Sequence, residues 1–316
     1  MSAAGSVAAF APASIGNVAV GFDMLGLAVA GVGDTVTARR TSGRGVRVAA
    51  VLDRDGEPHP ELAGADGRNT ASIAAAALWE AHGAGGLELV VEKGIPLESG
   101  MGSSAASAVA AVVAANALLE RPLAQEALLP FALEGERFAS GSVHADNVAP
   151  SLLGGLVLCP VRLLPRAVRI ATPAGVSSVL LHPELRVDTA SARRSLARSV
   201  EMAQWLEQQG CLAAFIAACE HGEVALIGET LRDVIIEPQR AARVPPFAAV
   251  KAAALEAGAL GCSLSGSGPS IFALCEDARA SAVAGAMAAA CRETGVDCET
   301  WISPMDAPGA RLVTPP

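Results

Sequence analysis

The stretch Pro96-Leu97-Glu98-Ser99-Gly100-Met101-Gly102-Ser103-Ser104-Ala105-Ala106 constrains this chain more than any other. A β-like run, Leu87-Glu88-Leu89-Val90-Val91-Glu92, leads into it, and an Ala/Val-rich helix over residues 103–119 leads out. Two glycines and two serines therefore stand where a helix begins. The unpaired N–H groups and the positive dipole end of that helix form a natural anion site. Glycine lets an anion approach the backbone closely, and serine can cap the helix, bind phosphate or reach a metal ion. The expectation is a cradle for a triphosphate.

The helix after Gly102 is the most apolar segment, but Ser107 and Asn116 interrupt it and it is too short to span a bilayer. It reads as a buried core helix. With 316 residues and 52% apolar content the chain is expected to fold as a packed protein of two domains. A net charge of −9 offers no footprint for nucleic acid or an anionic membrane surface. The seven cysteines are scattered without a C-x-x-C pair, as expected of reduced thiols in a cytoplasmic protein. No basic region precedes the apolar residues at the N-terminus, which argues against a signal peptide.

In chain order, strands are predicted over 7–11 (ending at Pro12), 25–29, 34–39 and 46–52. A polar Gly/Pro-rich loop follows over 53–67, then a helix capped by Asn69 or Thr70 and running to His82. Beyond the central helix come a helix over 123–139, an irregular stretch over 141–150 and a strand over 156–159. The character changes over 160–173. After it a strand is expected over 179–181, with helices over 189–196, 199–209, 212–221 and 246–257. A strand–loop–strand (262–265, 270–275), a helix over 278–294 and a strand over 298–302 complete the chain, and the tail after Pro304 reads as a loose end. Strands and helices mix without strict βαβ alternation, which points to an α+β fold in two lobes, 1–160 and 161–316.

Taken alone, the central loop has rivals. Gly100-x-Gly102-x-x-Ala105 satisfies the loose dinucleotide fingerprint of an oxidoreductase, but Glu120 ends a helix and not the next strand, where the acidic partner belongs. A Walker loop is excluded by the absence of Gly-Lys-Ser/Thr.

Three further segments accompany it. Ala11-Pro12-Ala13-Ser14-x-x-Asn17-x-x-x-Gly21-Phe22-Asp23-x-Leu25-Gly26-Leu27-Ala28 lies near the N-terminus. Gly141-Ser142-x-His144-Ala145-Asp146-Asn147-Val148-Ala149-Pro150 follows the helix pair, and Leu264-Ser265-Gly266-Ser267-Gly268-Pro269-Ser270 comes late. Together the four resemble the motifs of the GHMP kinases, in their homoserine-phosphorylating form. Departures are Ile15-Gly16 in place of small residues, Val20 and Val143 where Pro is common, and Met101 where Leu is usual. Gly16 and Val20 flank a substrate-binding loop and bear on its shape.

The resemblance implies an N-terminal ribosomal-S5-domain-2-like lobe, a ferredoxin-like C-terminal lobe and ATP between them. It implies a kinase that uses ATP and Mg²⁺ to phosphorylate the side-chain hydroxyl of L-homoserine, with a homodimer by analogy. A mevalonate-type kinase is the alternative acceptor class. By motif position Pro96, Ser99, Gly100, Met101, Gly102, Ser103 and Ser104 would contact the nucleotide, and Ser104 and Glu136 the metal; the resemblance also puts Asn69, in Arg68-Asn69-Thr70, beside the nucleotide. Glu136 by itself, in Glu134-Gly135-Glu136-Arg137, reads as a solvated helix face. An amino-acid acceptor needs a carboxylate for its ammonium and a bidentate cation for its carboxylate. Asp23 suits the first and Arg193 and Arg240 the second, with Asn17, His144, Asn147 and Gly266 around the hydroxyl and γ-phosphate. The catalytic expectation is alignment by Asn147, His144 and Asn17 without a residue acting as base. Neither lysine, Lys93 or Lys251, occupies a motif position.

Overall fold

The computed structural model describes residues 5–62, 69–140 and 143–314. Its first sheet is built from β1 (Ser6–Gly16), β2 (Leu25–Thr41), β3 (Gly45–Leu52) and, after helix α1 (Thr70–His82), β4 (Gly86–Glu92). Helices α2 (Ser103–Ala117), α3 (Leu129–Ser140) and α4 (Val148–Leu153) follow, then short strands β5 (Leu156–Leu158) and β6 (Val168–Ile170). Strand β3 runs parallel to β4, and every other pairing in this sheet is antiparallel. Most residues of α2 are fully buried. Its Ala and Val side chains let α1, α3 and the sheet approach on all sides, as a helix apolar all round requires.

The second lobe opens with β7 (Val176–Pro183) and the helices α5 (Thr189–Arg194), α6 (Met202–His221), α7 (Val224–Thr230), α8 (Glu237–Arg240) and α9 (Phe247–Glu256). Strands β8 (Gly261–Leu264) and β9 (Ile271–Glu276), helix α10 (Ala280–Glu293) and β10 (Cys298–Pro304) complete it. The sheet order β10-β7-β9-β8, antiparallel throughout, is the ferredoxin-like arrangement expected of this lobe.

Several boundaries differ from expectation. β1 runs through Pro12, because a register shift between Pro12 and Ala13 absorbs the missing donor. The expected strands 25–29 and 34–39 are one strand: Gly33 is there for close approach, since a Cβ would lie 2.2 Å from the Ala11 carbonyl oxygen. α6 continues through Gly210, merging two expected helices, and α4 begins inside the segment read as irregular. The first sheet reaches past residue 160 to include β6. The tail is not loose. It returns as β11 (Arg311–Val313), pairing with β1 at the sheet edge. Residues 63–67 of the expected loop, and Gly141 and Ser142 of the third motif, lie outside the described residues. Among the described residues, no helix is long and apolar enough to cross a membrane.

Candidate active site

A cavity of about 360 Å³ lies between the lobes, with the start of α2 as one wall. Gly100 and Gly102 both take left-handed φ, +74° and +72°. Their lack of a side chain is structural as well as permissive. A Cβ on Gly102 would lie 2.3 Å from Ser14 Oγ, and one on Gly100 would lie 2.6 Å from the carbonyl oxygens of Ser265 and Gly268. The loop is thus clamped between β1 and the second lobe, with the first turn of α2 facing the cavity. Ser104 is exposed there, whereas Ser103 turns inward and its Oγ donates to the Ile95 carbonyl at 3.1 Å. Ser99 also borders the cavity, its Oγ accepting from the Met101 N–H at 3.3 Å.

Three expected nucleotide residues are not brought to this cavity. Met101 is fully buried and packs in the core, so the apolar residue of the motif serves the fold. Pro96 lines a different cleft, beside His59, His182 and Arg186. Asn69 caps α1, accepting from the Ser72 N–H at 3.0 Å in a reciprocal capping box.

The opposite wall comes from the loop after β1. Asn17, Val18 and Ala19 all have positive φ (69°, 44° and 56°), rare for non-glycine residues and strained at a β-branched one. Hydrogen bonds hold the turn: Asn17 Oδ1 accepts from the Asp23 N–H at 3.0 Å, and Asn17 Nδ2 donates to the Gly266 carbonyl at 3.1 Å. Arg193 grips Asp23 with both terminal nitrogens, at 2.9 and 2.6 Å. The groups expected to receive an ammonium and a carboxylate therefore satisfy each other here, and this hydrogen bonding raises the Arg193 pKa.

Arg240 is 3% exposed, donates from Nη1 to the Gly266 carbonyl at 2.8 Å, and leaves Nε without a partner. Both guanidiniums stand over the Phe22 ring, at 5.3 Å (Arg240) and 5.4 Å (Arg193). His144 Nδ1 is 3.5 Å from Asp23 Oδ2. Burial lowers the His144 pKa despite the opposing Asp23 charge, so a neutral imidazole faces the cavity near pH 7. Asn147 Oδ1 accepts from Ser14 Oγ at 2.9 Å, which fixes the amide against the loop's Gly102.

Sequence reasoning missed Asp146 as a site residue. It is 4% exposed, lines the cavity, and burial, then the Asp23 and Glu136 charges, push its carboxyl up to about 7. It was visible only as a neighbour within a motif; its burial is a tertiary property. Glu98, Asp188, Thr189 and Ser267 also line the cavity and were not singled out.

Residues 69–155 match the GHMP kinases N terminal domain, and residues 215–293 match GHMP kinases C terminal. A homoserine kinase of Xanthomonas campestris pv. campestris (strain B100) is 47% identical over 307 residues, covering 96% of this chain and 93% of that protein. The chain belongs to the GHMP kinase family. A homoserine kinase of Xylella fastidiosa (strain 9a5c) is likewise 47% identical, over 98% of this chain and 95% of that protein. The crystal structure of homoserine kinase from Cytophaga hutchinsonii superimposes with a TM-score of 0.92 at 39% identity, covering 99% of both chains. The two matched GHMP segments contain the phosphate loop, His144, Asn147, Arg240 and Gly266. Asn17, Asp23 and Arg193 lie outside both.

For a GHMP kinase the metal question is whether hard oxygen donors face the phosphate loop. Ser104 of α2 and Glu136 of α3 line the same cavity as Gly100 and Gly102, one supplying a hydroxyl and the other a carboxylate. That donor set suits Mg²⁺, which binds through few protein oxygens and keeps waters.

Proposed function

We propose that this GHMP kinase transfers the γ-phosphoryl group of ATP to the side-chain hydroxyl of L-homoserine, giving O-phospho-L-homoserine on the route to threonine. The observation that carries the reading is the Asp23–Arg193 pair with Arg240 behind it, in the same cavity as the start of α2. A zwitterion separates that pair: its ammonium takes Asp23 and its carboxylate takes Arg193 and Arg240, while its hydroxyl lies toward Asn17, His144 and Asn147. A mevalonate-type acceptor has no ammonium to offer Asp23. The phosphates take N–H groups of Gly100 and of residues 102–104 at the start of α2, and Ser104 and Glu136 would hold Mg²⁺, which would supply charge neutralisation. Transfer then follows from alignment, with the hydroxyl proton passing to phosphate.

All seven cysteines are free and most are buried, which supports placing the enzyme in the cytoplasm. The test is ADP release over a panel of hydroxylated acceptors. Saturable turnover with L-homoserine is expected; turnover with mevalonate and none with homoserine would reject the acceptor, and NAD(H) binding without ATP binding would reject the kinase.

A further inference from the structure

One buried charged cluster has no part in the site as described. Lys93, the first residue after β4, is 6% exposed, and Asp34, within β2, is fully buried. Lys93 Nζ pairs with Asp34 Oδ2 and donates to Ser107 Oγ at 2.8 Å and to the Ser103 carbonyl at 3.1 Å. All three ammonium protons are used. Asp34 Oδ1 accepts the N–H groups of Gly94 and Ile95 at 3.0 and 3.1 Å, and Oδ2 also accepts from Ser107 Oγ at 2.6 Å. The Ser103 hydroxyl closes the circuit by donating to the Ile95 carbonyl.

The circuit joins the two ends of the phosphate loop. Residues 93–95 leave the sheet and residues 103–107 begin α2; everything between them is glycine-rich and has left-handed turns at Glu98, Gly100 and Gly102. A buried ion pair is weak evidence of stability, because well-packed apolar residues of the same volume often serve as well. Apolar residues could not supply what this pair supplies: acceptors for the N–H groups at the loop's entry and a donor to the carbonyl at its exit. The pair is also neutral as a unit. It orients the first turn of α2 without placing net charge behind the anion site.

We propose that Lys93 and Asp34 are positioning residues for the phosphate loop, fixing the start of α2 so that its N–H groups are aimed at the ATP phosphates. This rests on the kinase reading above and deepens it.

The test compares steady-state kinetics and thermal melting of wild type, Ser107→Ala, Lys93→Met and the double variant Lys93→Met/Asp34→Asn. Ser107→Ala keeps the ion pair and removes one hydroxyl shared between its two charges; it is expected to raise KM for ATP by about 3- to 10-fold, less than the full worth of a hydrogen bond to a charged group because the pair itself remains. Lys93→Met leaves a buried carboxylate behind the phosphates and is expected to raise it by about 10- to 100-fold. The double variant removes that charge while keeping an acceptor for Gly94 and Ile95, and should recover part of the loss. KM for homoserine should stay near wild type in all three.

Melting temperatures that fall while KM for ATP stays unshifted would overturn the proposal, as would an equal rise in KM for both substrates. If Lys93→Met does not fold, the KM split in Ser107→Ala decides by the same criteria. Failure of wild type to bind ATP would instead reject the kinase reading, so the two failures are distinct.

Discussion

Asp23 and Arg193 hold each other through two charge-assisted hydrogen bonds, and the proposed function has a zwitterionic acceptor come between them. Asp23→Asn keeps the shape and removes the charge that an ammonium needs. We expect KM for homoserine to rise by about 10- to 100-fold, the usual worth of a hydrogen bond to a charged group, with KM for ATP near wild type. Steady-state kinetics with each substrate varied in turn would check the split. Asp146 gives a prediction of a different kind. Its folded pKa of about 7 lies above the ordinary value of 3.8, so the folded state keeps the proton longer than the unfolded chain does. That contribution to stability is complete below the unfolded pKa and is lost as pH rises through about 7. Buried His182 is pulled down to about 4 and acts in the opposite sense, costing stability as pH falls below 6.5. The difference between wild type and Asp146→Asn isolates the carboxyl: in denaturant titrations the variant should gain on wild type between pH 5 and 7.5. A pH-independent difference would mean that Asp146 is ionised in the folded protein. At this scale the sequence was informative where side-chain chemistry recurs in a motif, as for Asp23, His144 and Asn147; Arg193 and Arg240 lie outside the motif segments and stood out only as cations suited to a carboxylate. It was silent on Asp146, because desolvation depends on what packs around a residue.

At the scale of elements, the loop entering α2 was legible because its glycines, serines and following helix all say the same thing. The reason for each glycine was not. Gly102 caps the helix in a left-handed conformation, and its missing Cβ leaves room for Ser14 Oγ, itself hydrogen-bonded to Asn147. Gly102→Ala must therefore both strain the backbone and displace a side chain that orients Asn147. We expect a loss of about 1–3 kcal/mol in stability together with a marked fall in kcat/KM, measured by urea unfolding and by the ADP-release assay. A variant with wild-type kcat/KM would show that the Ser14–Asn147 contact is dispensable. Elsewhere, punctuation misled for the same kind of reason. Gly33 and Gly210 read as breaks, yet one permits β1 and β2 to touch and the other sits inside α6. Pro12 reads as a strand end but falls at a register shift. A glycine or proline signals a backbone requirement, and only the neighbouring chain tells whether that requirement is a turn.

The whole molecule is joined through its site and through its tail. Ser265 Oγ donates to the Gly100 carbonyl at 2.6 Å, the Gly266 N–H donates to the Gly16 carbonyl at 3.0 Å, and the Ser270 N–H donates to the Ser99 carbonyl at 3.1 Å. The second lobe thus bonds directly to the loops proposed to hold substrate and phosphate. The tail makes a further connection. After β10 the chain passes Gly155, whose N–H donates to the Ala307 carbonyl, and ends in β11 on β1, with the Arg311 guanidinium 4.6 Å from the Phe10 ring centre. Nothing in the tail's short, Pro-flanked sequence marks it as a strand; its partner lies three hundred residues away. Its register pairs Ala8, Ala9 and Phe10, whereas the substrate turn begins at Asn17, about 23 Å further along an extended strand. Removing residues 311–316 strips three cross-strand pairs and a cation–π contact and opens a sheet edge, at a cost of about 1–4 kcal/mol. Because the loss falls at the far end of β1, kcat and both KM values should remain near wild type well below the melting temperature. Thermal melting and steady-state kinetics on the truncated chain would separate the two effects; a rise in KM for homoserine at low temperature would mean that the edge strand holds the substrate turn in place.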